Sequence, residues 1–120
     1  MMPDPITFSA TGPQDFMTAA TIALPTAKLI EGQPFGRDHA YFERPEAKLK
    51  VGLWRSSAYT EWYDSYPCDE FMVVLEGEVT IESDTFCETF GPGAAFLIPK
   101  GFQGYWRQPV AMVKYYAIVE

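Results

Sequence analysis

Histidine occurs once in this chain, at position 39, and cysteine only twice, at 68 and 87. Two cysteines are too few for a disulfide scaffold, so a reduced, cytoplasmic chain is the expectation. Basic residues are also scarce: nine Lys and Arg against sixteen Asp and Glu give a formal charge of −7. Binding to a phosphate backbone needs clustered cations, so a nucleic-acid partner is not expected. The longest apolar run near the start, AATIAL, is far too short to span a bilayer, and MMPDPITFSATGPQDF has no basic segment resembling a secretory signal. No G-x-S-x-G or Walker-type stretch occurs, which leaves serine-triad and phosphate-loop chemistry unsupported.

What is present is apolar mass: 48% hydrophobic and 16% aromatic residues in 120, enough to fill the core of one domain. Residues 1–40 carry Pro3, Pro5, Pro13, Pro25 and Pro34 with Gly12, Gly32 and Gly36 between them. Such breakers exclude long helices and leave an irregular arm with edge strands. Within it FMTAATIAL reads equally as a helical turn or a short strand. From residue 41 to 120 the texture changes to short segments rich in Val, Ile, Thr and aromatics: AKLKVGLWRSS, TEWYDSY, EFMVVLEGEVTIES, TFCETF, AAFLIP, GYWRQ and VAMVKYYAIVE. Turn residues separate them, so the pattern predicts an all-β antiparallel barrel or sandwich.

Two of these places carry a resemblance. Glu70 is followed by Gly77 in EFMVVLEG, and Gly93 by Pro99 and Gly101 in GAAFLIPKG. In this order and separation they resemble the two motifs of the cupin superfamily, a small β-barrel or jelly roll. From about residue 28 to 120, KLIEGQP, GLW, GPGAAFLIPKGFQGYW and VKYYAIV are similar to small single-domain cupins. These are related to the ureidoglycine aminohydrolase cupin domain and to the ethanolamine-utilisation Q protein. The resemblance implies one jelly-roll domain and frequent homodimers. The turns agree physically, since glycine suits a tight reversal after VVLE and proline ends a strand that it cannot extend by donating.

Metal-binding cupins place two histidines before the motif-one glutamate and one after the motif-two glycine. By that resemblance the three positions fall here on Asp64, Tyr66 and Gly104, and only Glu70 remains of the ligand set. Neither a transition metal nor another cofactor is expected, although Asp64 and Glu70 could offer oxygens to a hard cation. Strand alternation puts Met72 and Val74 on the face of Glu70, with Tyr66 and Cys68 ahead of them, and gives Phe96 and Ile98 the parity of Gly104 and Trp106. The expected cavity is therefore aromatic and aliphatic with one or two acids, suited to a small organic ligand. Alternatives are an aminohydrolase- or isomerase-like enzyme using Glu70 as general acid or base, and a dimeric interaction module without chemistry. Cys68 lacks the basic setting that activates a thiol, and His39 reads as a surface loop residue. Lys114, in an otherwise apolar strand, either faces solvent or pairs with an acid inside; solvent is the expectation.

Overall fold

The computed structural model describes residues 3–17 and 28–120. Among the described residues ten strands form two five-stranded sheets in which every pairing is antiparallel. In the first sheet the order is β1 (Lys28–Gly32), β4 (Tyr59–Tyr63), β9 (Gly104–Gln108), β6 (Val79–Glu82) and β7 (Cys87–Phe90). In the second it is β2 (Gly36–Arg44), β3 (Leu49–Ser56), β10 (Met112–Val119), β5 (Asp69–Glu76) and β8 (Ala95–Ile98). Among the described residues the one helical element is a 3-10 turn at Pro45–Ala47. The antiparallel barrel or sandwich expected from the short, turn-punctuated segments is observed, in the jelly-roll form that the resemblance implies. The segment FMTAATIAL lies, from residue 18 on, outside the described residues. Among the described residues no helix is long and apolar enough to cross a membrane.

The two sheets enclose the core. Tyr59, Tyr63, Val79, Ile81 and Trp106 of the first sheet meet Met72, Val74, Ile98, Met112 and Tyr116 of the second. On β5 the buried positions alternate strictly, Glu70, Met72 and Val74 inside with Asp69 and Phe71 exposed, which is the two-residue period of a strand between core and water. Gly77 turns β5 into β6 with φ of 79°, and a Cβ there would stand 2.1 Å from the Ala111 carbonyl oxygen. Only glycine fits that reversal.

The outer face of the second sheet is also covered. Phe16 packs on Leu53 and Val113, and Phe8 stacks on Tyr41 at 4.5 Å between ring centres and meets Tyr115 edge-on. Burying Phe16 contributes about 2 kcal/mol to holding this arm down. His39, expected in a surface loop, lies within β2 and is half-buried, its ring edge-on to Tyr41. The strand claims it because residues 36–44 complete the edge of the sheet against β3.

Candidate functional site

Lys114 is the centre of the barrel interior, and the expectation that it faces solvent is wrong. It is 5% exposed, in register opposite Trp54 on one side and Val74 on the other, with its side chain directed inward. Its ammonium donates to Glu70 Oε2 at 2.8 Å, lies 3.1 Å from Met72 Sδ, and sits over the indole faces of Trp54 and Trp106 at 4.5 and 4.6 Å. Solvent exposure would forfeit one strong ion pair and two cation–π contacts made in a buried setting. Glu70 is equally buried, and its other oxygen accepts the Tyr66 hydroxyl at 2.7 Å.

Loops fix Tyr66 at the end of the barrel. Its backbone N–H donates to the Phe102 carbonyl at 2.9 Å, and its carbonyl accepts from Gly101 N–H at 2.8 Å. The Lys100 N–H donates to Asp69 at 2.8 Å, fastening the same PKGF loop to the start of β5. The loop of the second motif therefore positions a residue that precedes the first.

A second acid faces this interior. Glu61 on β4 is 5% exposed and accepts the Tyr63 hydroxyl at 2.7 Å. Burial raises its carboxyl above the ordinary carboxylate range, against the Tyr63 hydrogen bond and the charge of Lys114, which both act to lower it. Tyr59, Tyr63 and Tyr66 are held well above the ordinary phenol value, each chiefly by burial, so all three stay neutral donors. Tyr63 and Tyr66 pack edge-to-face with centres 4.7 Å apart. Gln108 supports the wall: its oxygen accepts Trp106 Nε1–H at 3.1 Å, and its amide donates to the carbonyls of Ser56, Ser57 and Val110.

Of the residues singled out in the sequence, Glu70, Tyr66, Met72 and Trp106 meet around Lys114. Ile98 is buried in register opposite Glu70, and Cys68 is buried in the same core. The Cys68 thiol is pushed up to about 11, chiefly by burial and then by Glu70, so it carries no nucleophilic thiolate at neutral pH. Phe96 stacks on Phe90 at 4.0 Å and borders the core. Asp64 does not join the group: it is exposed and accepts Trp62 Nε1–H at 2.8 Å, because Tyr63 and not its neighbour has inward parity. Glu61, Tyr59, Tyr63, Trp54 and Gln108 went unrecognised. The shared parity of Tyr59, Glu61 and Tyr63 is the signal that could have found them.

The donor set does not fit a transition metal. Among the described residues no three His, Cys, Asp or Glu side chains gather as a metal site. Glu70 is already committed to an ammonium and a phenol. At Gly104, where the resemblance would put an imidazole, a Cβ would meet the Glu82 carbonyl oxygen at 2.4 Å and the Phe102 ring at 2.5 Å.

The EutQ-like cupin domain family matches residues 44–116. No curated protein matches. Among solved structures, the EutQ protein of Clostridium difficile is 21% identical with a TM-score of 0.60, over 72% of this chain and 68% of that one. A protein of unknown function from Pseudomonas syringae is 21% identical with a TM-score of 0.79, over 93% of this chain and 46% of its own length. A putative ethanolamine utilisation protein Q from Salmonella typhimurium is 19% identical with a TM-score of 0.60, over 73% and 70%. At these identities the structural likeness bears on fold alone.

Proposed function

On the premise that the chain belongs to the EutQ-like cupin domain family, we propose that its barrel binds a small organic molecule without a transition metal. The observation that supports this reading is the Lys114 ammonium, held between Glu70 and two indole faces. A buried charge pair is a poor way to stabilise a core, since apolar residues of similar volume serve as well or better. Its retention beside a second buried acid and three neutral phenols suits selective recognition of polar groups against aromatic walls.

A catalytic version of the same reading draws on Glu61. A carboxyl raised by burial holds its proton nearer neutrality than an exposed one, the property a general acid or base needs. Glu70, bound by Lys114 and Tyr66, is the weaker candidate for moving a proton and the stronger one for fixing the ammonium. Homodimer formation is part of the proposal. Phe71 and Leu97, both exposed, stand opposite each other on the outer face of β5 and β8, and Val119 is exposed nearby on β10.

The test joins elemental analysis to ligand titration. Protein purified without chelators is expected to hold far less than one equivalent of zinc, manganese, nickel or iron. A panel of small polar metabolites is expected to contain members that perturb the fluorescence of Trp54 and Trp106 saturably, with the response abolished in Lys114→Met. Stoichiometric metal that disappears on Glu70→Ala, or no saturable ligand in the panel, would overturn the reading.

A further inference from the structure

Glu61 is a buried acid to which the chain assigns no cation. It shares the inner face of β4 with Tyr59 and Tyr63, and the Tyr63 hydroxyl donates to one of its carboxylate oxygens at 2.7 Å. Among the described residues no Lys or Arg makes an ion pair with it, and the buried cation of this interior, Lys114, is already paired with Glu70 at 2.8 Å. Residues 1–2 and 18–27, outside the described part, contain no Lys, Arg or His, so no further side-chain cation is available from them. Lys114 at +1, Glu70 at −1 and an ionised Glu61 at −1 leave the interior at −1. A buried carboxylate without a counter-charge is costly, and burial is the main cause that raises this carboxyl.

The position of Glu61 in its sheet favours access. On one side it stands opposite the buried Trp106, and on the other opposite Leu29 of the edge strand β1, which is 49% exposed. One strand separates it from the open edge. Two near-parallel rings stand beside it: Trp106 across the strand pair and Tyr59 two residues before it on the same face, with 6.4 Å between their centres. A carboxylate next to aromatic faces suits an ammonium group, whose charge pairs with the acid while its alkyl substituents lie against the rings. A hard metal ion gains little there, since it needs several oxygen ligands at once. We propose that the ligand of the barrel is a small organic ammonium compound whose charged nitrogen pairs with Glu61 beside Tyr59 and Trp106. The inference rests on the reading of the barrel as a small-molecule site and names the chemical class of its ligand.

The test titrates trimethylammonium chloride, and its uncharged counterpart of similar shape, tert-butanol, into the full chain at constant ionic strength, following tryptophan fluorescence and thermal denaturation. Trimethylammonium is expected to act saturably on wild type. Glu61→Gln keeps an acceptor for the Tyr63 hydroxyl and drops the charge, and is expected to bind the cation roughly tenfold more weakly or worse. The alcohol is expected to bind both proteins alike, and wild type more weakly than the cation does. Calorimetry at about pH 5 in two buffers of different ionisation heat reads a second signature, because a cation beside Glu61 holds its carboxyl ionised and expels the proton. From the strands paired with β4 Glu61 meets Leu29 and Trp106, which do not titrate; Tyr59 and Tyr63 on its own strand stay neutral, and the charges across the interior are Lys114 and Glu70. Wild type is expected to release protons on binding trimethylammonium, and Glu61→Gln none. Equal affinity of the two proteins for the cation, binding without proton release, or an equal response to magnesium or potassium chloride overturns the proposal. So does saturable binding of the alcohol or other neutral compounds without binding of trimethylammonium, an outcome that leaves the barrel a small-molecule site for uncharged ligands.

Discussion

Replacing Lys114 by Met keeps the length and most of the volume of the side chain and removes its charge, which isolates the electrostatic part of the site. The Glu70 carboxylate, 6% exposed, would keep Tyr66 as a donor and lose its 2.8 Å ammonium partner. Breaking one side of a buried ion pair costs about 3–5 kcal/mol, and the two indole faces, deprived of the same cation, place this case near the middle of that range or above. For a domain of this length each kcal/mol shifts the melting temperature by about 4 °C, so a drop of roughly 15 °C is expected. Glu70→Leu alone strands the ammonium and is expected to cost about 3 kcal/mol for the same reason. The double variant removes both charges together and should lie within about 2 kcal/mol of wild type, well short of the summed single effects. Urea denaturation of the four proteins measures the coupling directly. A Lys114→Met cost below about 1 kcal/mol, or a double variant equal to the sum of the singles, would show that the ammonium and the carboxylate are not paired in the barrel.

The raised Glu61 carboxyl makes a pH prediction with a definite sign. A carboxyl whose folded value lies above its unfolded value binds its proton more tightly in the native state. Stability from this group is therefore full below the ordinary carboxylate range and falls as pH rises from there through the raised folded value. Glu61→Gln should flatten that fall while leaving the Tyr63 hydroxyl an acceptor; a denaturation midpoint profile unchanged by the substitution would refute it. For the thiols, Cys87 is exposed and Cys68 is buried with its thiol pushed up to about 11. Titration with a thiol-reactive disulfide at neutral pH should modify Cys87 promptly and Cys68 only on unfolding, and fast modification of both would be the contrary result.

The barrel was legible because most of its strands obey one rule, apolar residues inward and polar residues outward, and its site was partly hidden because two strands break that rule. On β10 the arm covers the outer face, so Val113 is buried against Phe16 and Leu53 while Met112 and Tyr116 fill the inside. With both faces apolar no alternation remains, and nothing local says which way Lys114 points. The deciding facts are long-range: Trp54 opposite it in register, and Glu70 forty-four residues earlier in the chain. On β4 the rule is inverted rather than lost. Glu61 is inside while Trp62 lies on the outer side, against Tyr105 at 4.7 Å between ring centres. A charged residue between Thr60 and Trp62 looks like the solvent face until the parity it shares with Tyr59 and Tyr63 is given more weight than its charge. Motif spacing misled for a related reason: it assigned a role to Asp64 by its place in a ligand pattern, and side-chain direction at that loop gives the barrel Tyr63 and Tyr66 instead. Both hidden residues, Lys114 and Glu61, are ionisable groups buried inside the barrel. A sequence shaped for stability alone gains little from them there, which is why the proposed ligand recognition is drawn to the positions where local rules fail.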